Sequence, residues 1–293
     1  MPSSDQINIW GGSLYGRSPL GKPLVLTVWV DGHPLEGIEA VLFDKDGTLA
    51  DTSSFLRLLA QARVKAIQSR IPEVDDRLLL AMGAGADRWN PAGLMAVGTR
   101  EQNCVAAAAY VAETGCSWST AIALVQQAFA EADRICGDKA LQTWPYEDTE
   151  FCLERLARSG LELGILTGDT LEHTQAFLVR YDLGQWIQVI GAANTGPAKP
   201  DPASVWRLCE QLGVAPDRVL LVGDSAIDMQ AARAAGLAAA IGIDRTYAIP
   251  NTIVSRTIPP KAIDIQEMRN QARSELQADF LIQSLDALQV SIA

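Results

Sequence analysis

Between residues 150 and 243, short apolar runs alternate with amphipathic stretches at the spacing of strands joined by crossover helices. Residues 161–166, 186–191, 218–222 and 237–243 read as strands. Residues 150–159, 171–181, 202–212 and 229–235 read as helices, the last closed by Gly236. Strict alternation of this kind predicts an α/β domain. Its connections are right-handed, its sheet is parallel and helices cover both faces. The pattern also constrains where chemistry can sit, because loops at the carboxyl ends of parallel strands gather in one crevice.

An earlier apolar run, residues 40–43, ends in DKDGTLADT and adds a strand, an acidic loop and a helix to the pattern. Four strand-end loops then carry polar groups: Asp44-Lys45-Asp46, Thr167-Gly168-Asp169, Lys199 behind a proline-flanked loop, and Gly223-Asp224-Ser225 with Asp228. Carboxylates brought that close repel one another unless a cation binds or a proton is shared. Ligation by carboxylates, a backbone carbonyl and water suits Mg²⁺.

The rest of the chain departs from this alternation. Residues 1–38 read as an N-terminal extension, polar and loop-like at first, with an extra strand at 24–30 before the Asp31-Gly32 turn. Residues 53–146 read as helical, with amphipathic spacing over 55–67 and 118–135, a glycine-rich loop or irregular segment over 83–98, and no strand. Residues 245–260 read as irregular, 265–276 as a helix and 278–281 as a last strand. The domain organisation expected is therefore a core made of 39–52 and 147–293, interrupted by a helical insertion at 53–146. The extension and the 245–276 segment are placed either to support a homo-oligomer or to cover sheet edges.

Composition narrows the partners. The chain of 293 residues is 48% hydrophobic, enough for a sizeable core, and its formal net charge of -11 repels nucleic-acid backbones and anionic membranes. Neither is expected as a partner. The five cysteines are odd in number and lack metal-knuckle spacing, so they read as reduced thiols of a cytoplasmic protein. The opening MPSSDQINIW lacks a basic segment followed by an apolar one, and no apolar run is long enough to span a bilayer.

The four loops, in this order, resemble the haloacid-dehalogenase-like hydrolase superfamily. The resemblance spans residues 40–243 and the tail ADFLIQSLDAL at 278–288. It rests most on the pattern hhhhDxDGTLxDT at the first loop and hhhhGDSxxDh at the last, where h is apolar. With a helical block between the first and second loops, the chain is similar to the branch holding phosphoglycolate phosphatase and β-phosphoglucomutase.

The resemblance implies a Rossmann-like core with an inserted helical cap, and a Mg²⁺-dependent phosphatase acting on a small phosphorylated metabolite. Asp44 would be the nucleophile that takes the phosphoryl group, and Asp46 the acid and then the base. Thr167 would hydrogen-bond a phosphoryl oxygen, with Gly168 beside it at the substrate. Lys199 would offset developing charge and hold Asp44. Asp44, Asp224 and the Asp46 carbonyl would ligate Mg²⁺, with Asp228 supporting the metal directly or from behind.

Substrate choice would lie in the cap, where Arg100 suits a carboxylate or a second phosphate. Asp51 and Asp169 read as helix caps, and Ser225 as a cap or a partner of metal-bound water. Lys45 is given no role, and His33 and His173 show no partner spacing. Three rival readings use the same core: a phosphoglucomutase-like phosphotransferase, a dehalogenase, and a non-catalytic phospho-regulated binding module. Asp46 and Asp224 weigh against the dehalogenase, and the intact Asp46 against the binding module.

Overall fold

The computed structural model describes residues 26–74, 76–85, 88–90, 93–245 and 276–292. The loop expected in the first 21 residues and most of the 245–276 segment lie outside them. The described strands are β1 (Leu26–Val30), β2 (His33–Glu36), β3 (Ala40–Phe43), β4 (Ala50–Asp51), β5 (Ala84–Gly85), β6 (Arg88–Trp89), β7 (Trp144–Pro145), β8 (Glu162–Leu166), β9 (Val189–Gly191), β10 (Val219–Gly223), β11 (Ala239–Ile243), β12 (Phe280–Ile282) and β13 (Leu288–Ile292). The described helices are α1 (Ser53–Gln68), α2 (Arg77–Ala81), α3 (Leu94–Val97), α4 (Arg100–Glu113), α5 (Trp118–Cys136), α6 (Thr149–Arg158), α7 (Leu171–Arg180), α8 (Pro202–Leu212) and α9 (Ala226–Ala235). Among them, no helix is long and apolar enough to cross a membrane.

The chain divides into two compact units. One runs to Ala50 and resumes at Pro145, and the other spans Asp51–Trp144. The first unit holds a six-stranded sheet in the order β12-β11-β10-β3-β8-β9, every neighbouring pair parallel. This is the parallel α/β core that the alternation predicts, and it is Rossmann-like, as the resemblance implies.

The central strands are buried on both faces, with period-two partition of their side chains. Val41, Phe43, Leu220, Val222, Ile241 and Ile243 face one apolar cluster, which α6 and α7 join through Leu153, Leu156 and Phe177. Ala40, Leu42, Val219, Leu221 and Ala240 face the other, closed by Val205 and Leu208 of α8 and Met229 and Ala232 of α9.

Helix ends follow local chemistry. The Asp201 side chain accepts from the Ala203 N–H, Pro202 opens α8, and Gly213 leaves it at φ 69°. Gly236, with φ 73°, closes α9 in the same left-handed way.

The extra N-terminal strand does not extend an edge of the parallel sheet. β1 runs antiparallel between β13 and β2 in a separate three-stranded sheet. Its buried Leu26, Val28 and Val30 join the cluster that contains α6. It lies against a face rather than along an edge, because every second side chain of LTVWV needs an apolar surface to pack on. The strand expected at 278–281 lies at 280–282 and is not the last, since β13 follows it, and the strand expected from 186 begins at Val189 after a 3-10 turn.

The second unit is built on α1, α4 and α5, around Val64, Ile67, Val111, Val125 and Phe129. The expectation of no strand here is corrected. β5 and β6 form a short antiparallel hairpin inside the glycine-rich stretch, and β4 pairs with β7. Two-residue strands carry no readable periodicity. The hairpin instead depends on glycine: a Cβ on Gly83 would lie 2.9 Å from the Gly93 Cα.

Candidate active site

Four loops of the parallel sheet converge. Asp44 follows β3 and is anchored by its N–H to the Val222 carbonyl at 2.8 Å. Thr167 follows β8, with its N–H on the Gly191 carbonyl at 2.8 Å. Asp224 follows β10, and Asp228 lies in the first turn of α9.

Lys199 joins them, because its Nζ donates to Asp44 Oδ1 at 2.6 Å and to Asp228 Oδ1 at 2.5 Å. The Lys199 and Asp44 side chains are only 9% and 8% exposed, so these charges meet away from bulk water. One oxygen from each of Asp44, Asp224 and Asp228 lies within 4.8 Å of the others.

Two glycines make this crowding sterically feasible. Gly47 sits at φ 83°, and a Cβ there would fall 1.9 Å from Asp224 Oδ2. A Cβ on Gly223 would fall 2.4 Å from Asp228 Cγ. The DGT and GDS motifs thus need glycine for the space their own carboxylates occupy.

Asp228 is fully buried and both its oxygens are engaged. Oδ1 takes Lys199, while Oδ2 accepts from Ser225 Oγ at 2.5 Å and from the Ser225 N–H at 3.1 Å. Ser225 is the N-cap of α9 and forms a reciprocal capping box with Asp228.

The electrostatics follow from burial and like charge. Burial pushes the Asp44 carboxyl up to about 7; Lys199 opposes the shift, and Asp228 and Asp46 add to it. Burial, then Asp44 and Asp228, push Asp224 well above the carboxylate range against Lys199. Burial disfavours the Lys199 ammonium, but Asp228 and Asp44 outweigh it and hold the group above the ordinary lysine value. Three carboxylates against one ammonium leave excess negative charge, and the donors are all oxygen. The site therefore fits a hard divalent cation such as Mg²⁺.

Asp46 is placed differently from those three carboxylates: its side chain is ion-paired with Lys45. Lys45 is buried and also reaches Asp169 Oδ2 at 3.0 Å, while Asp169 Oδ1 lies 3.1 Å from His173 Nδ1. Neither Lys45 nor His173 carries a role in the sequence pattern. The i,i+4 spacing of Asp169 and His173 across a helix start was the available signal.

Asp169 is not the cap of α7. Thr170 fills that position and accepts from the His173 N–H, while Asp169 accepts from the Thr170 N–H. Asp51 Oδ1 accepts from the Ser53 N–H and Oγ at the start of α1, although Thr52 occupies the N-cap position.

Thr167 Oγ1 accepts from the Asp169 N–H at 3.1 Å, which leaves its own O–H as a donor. Gly168 is exposed beside it. Arg100 belongs to the second unit. There it opens α4 and pairs with Asp133 at 2.5 Å, and Arg63 holds the other oxygen of that carboxylate at 3.2 Å.

The sequence profile of the haloacid dehalogenase-like hydrolases matches residues 38–236, a stretch that takes in all four loops. The chain belongs to the haloacid dehalogenase-like hydrolase family. This hydrolase is 30% identical over 200 residues to a phosphoglycolate phosphatase of Thiobacillus denitrificans, covering 68% of this chain and 80% of that one. It is 28% identical over 200 residues to an N-acetylmuramic acid 6-phosphate phosphatase of Pseudomonas aeruginosa, covering 68% and 79%.

Among solved structures, it resembles a predicted phosphoglycolate phosphatase from Haemophilus somnus with a TM-score of 0.56 at 19% identity, over 85% of this chain and 95% of that one. A protein provisionally named β-phosphoglucomutase from Thermotoga maritima has a TM-score of 0.52 at 21% identity, over 85% and 96%. These structures share the fold.

Proposed function

We propose that this hydrolase is a Mg²⁺-dependent phosphatase that cleaves a small phosphorylated metabolite through an aspartyl-phosphate on Asp44. The observation that carries the reading is the buried triplet in which Lys199 grips Asp44 and Asp228 at 2.6 and 2.5 Å. A carboxylate held in this way is oriented for attack, and the same ammonium lies where phosphoryl oxygens would gather charge. The phosphatases among its relatives support the reading and make phosphoglycolate the first substrate to test.

With Oδ1 on Lys199, Oδ2 of Asp44 is the oxygen left to bond phosphorus. As that bond forms, the ester P–O bond breaks and its electron pair leaves on the substrate oxygen, which takes a proton from Asp46. Water then attacks phosphorus, giving its proton to Asp46 as the bond to Asp44 breaks. Thr167 O–H donates to a phosphoryl oxygen, with Gly168 against the same group. Asp44 and Asp224, with the Asp46 carbonyl and Asp228 in support, would hold Mg²⁺, which supplies positive charge to the phosphoryl oxygens. The unit spanning Asp51–Trp144 is the cap in this reading and carries substrate choice, with Arg100 its candidate anion contact.

The test is turnover of phosphoglycolate, N-acetylmuramic acid 6-phosphate and p-nitrophenyl phosphate, with Mg²⁺ and after exhaustive chelation. Metal-dependent release of phosphate is expected, with Asp44→Asn about 10³-fold slower or worse. Near-normal turnover of Asp44→Asn rules out the covalent step, and full turnover without metal rules out the Mg²⁺ site.

A further inference from the structure

The loop that follows Asp46 is closed on itself and then gripped from outside. The Lys45 carbonyl accepts from the N–H groups of Thr48, Leu49 and Ala50 at 3.3, 2.9 and 2.8 Å, and the Gly47 N–H donates to the Ala50 carbonyl at 2.9 Å. The Thr48 and Leu49 carbonyls are taken by other segments. Leu49 accepts from the Tyr146 N–H at 3.0 Å and from Thr149 Oγ1 at 2.8 Å. Thr48 accepts from Arg245 Nη2 at 2.6 Å, the only hydrogen bond to that carbonyl among those described.

Arg245 follows β11 and is itself rigidly held. Its guanidinium meets Asp148 with two bonds, Nη1 to Oδ2 at 2.7 Å and Nη2 to Oδ1 at 3.0 Å. It also lies 4.1 Å from the centre of the Tyr146 ring. The side chain is 8% exposed and that of Asp148 11%. Asp148 Oδ2 further accepts from Ser284 Oγ at 2.7 Å and from the Leu285 N–H at 2.8 Å. Four segments far apart in sequence thus converge on one planar ion pair. A buried fork of this kind has little freedom to shift, and lysine could not reproduce its three directed bonds.

We propose that Arg245, locked by Asp148, is a positioning residue that sets the Asp46 carboxyl by holding the Thr48 carbonyl two residues away. The proposal rests on the reading that Asp46 protonates the leaving group. A misplaced acid must then slow phosphoryl transfer from esters with a poor leaving group more than from those with a good one. A brace that served only the fold would harm both alike.

The test uses Arg245→Lys and Asp148→Asn in the full chain. Three readouts are taken: the single-turnover rate of phosphoryl transfer from an alkyl phosphate and from p-nitrophenyl phosphate together with KM for each, the fraction folded, and amide exchange of residues 45–50. For Arg245→Lys, the phosphoryl-transfer rate with the alkyl ester should fall about 10-fold or more and with the aryl ester less than about threefold, with KM within about twofold. Asp148→Asn should show the same split more weakly. Exchange should speed up at residues 45–50 and hold in β10. Equal losses on both esters, tracking the fraction folded, overturn the proposal. If the wild-type chain hydrolyses neither ester, the phosphatase reading fails separately, and exchange alone decides. Faster exchange confined to residues 45–50 then supports Arg245 as the holder of this loop, and unchanged exchange refutes it.

Discussion

At the residue scale, Lys199 serves two carboxylates in a site largely buried from bulk water. Its ammonium offsets part of the repulsion between Asp44 and Asp228, and it holds Oδ1 of Asp44, leaving Oδ2 for the attack proposed above. Lys199→Met keeps much of the length and removes the charge. Turnover should then fall by about 10²-fold or more, the scale of losing one preorganised charge at a transition state. A kcat unchanged in Lys199→Met would remove this residue from the chemistry. The residue types at Asp44, Asp46, Thr167, Lys199, Asp224 and Asp228 were legible as motifs. The Lys45–Asp169 ion pair was not, since it joins two loops whose approach depends on β3 pairing with β8.

At the element scale, the start of α6 is tied to the segments after β11 and β12 through Asp148. Burial alone would raise the Asp148 carboxyl, but Arg245, Ser284 and the Leu285 N–H outweigh it and hold the group below the ordinary carboxylate value. A carboxyl depressed in the folded state contributes stability that is fully present above its unfolded value, about 3.9, and is lost as pH falls through the folded value. Asp148→Asn should therefore be less stable than the wild type near neutral pH, and the gap should narrow below about pH 4. Urea unfolding of both proteins at pH 7, 4 and 3 checks this, and a gap that stays constant across the series rejects the linkage.

For the whole molecule, the acidic balance of -11 has a local counterpart in the carboxylates of the site. A divalent cation that binds there only in the folded state adds stability by mass action, about 2.7 kcal/mol when its concentration is a hundredfold above its dissociation constant. The melting temperature should rise with Mg²⁺, fall back on chelation, and respond far less in Asp224→Asn. An equal rise in that variant would place the stabilising cation elsewhere. This readout is independent of turnover, so it tests the donor set even before a substrate is known.

What the sequence determined by itself was whatever is written in a short window. Apolar period and length set the strands of the parallel sheet, Asp201-Pro202 and Gly213 bounded α8, and carboxylates at strand ends marked the crevice. Tertiary structure decided what depends on pairs distant in the chain. β1 lies beside β13, with Trp29 Nε1 donating to Ser291 Oγ 262 residues away. The oxygens of Asp228 are divided between a helix cap and Lys199, and the Thr48 carbonyl meets Arg245. A strand's periodicity says that one face must be buried but not against what. A charged side chain's partner is set by the segments that packing happens to bring within hydrogen-bond reach.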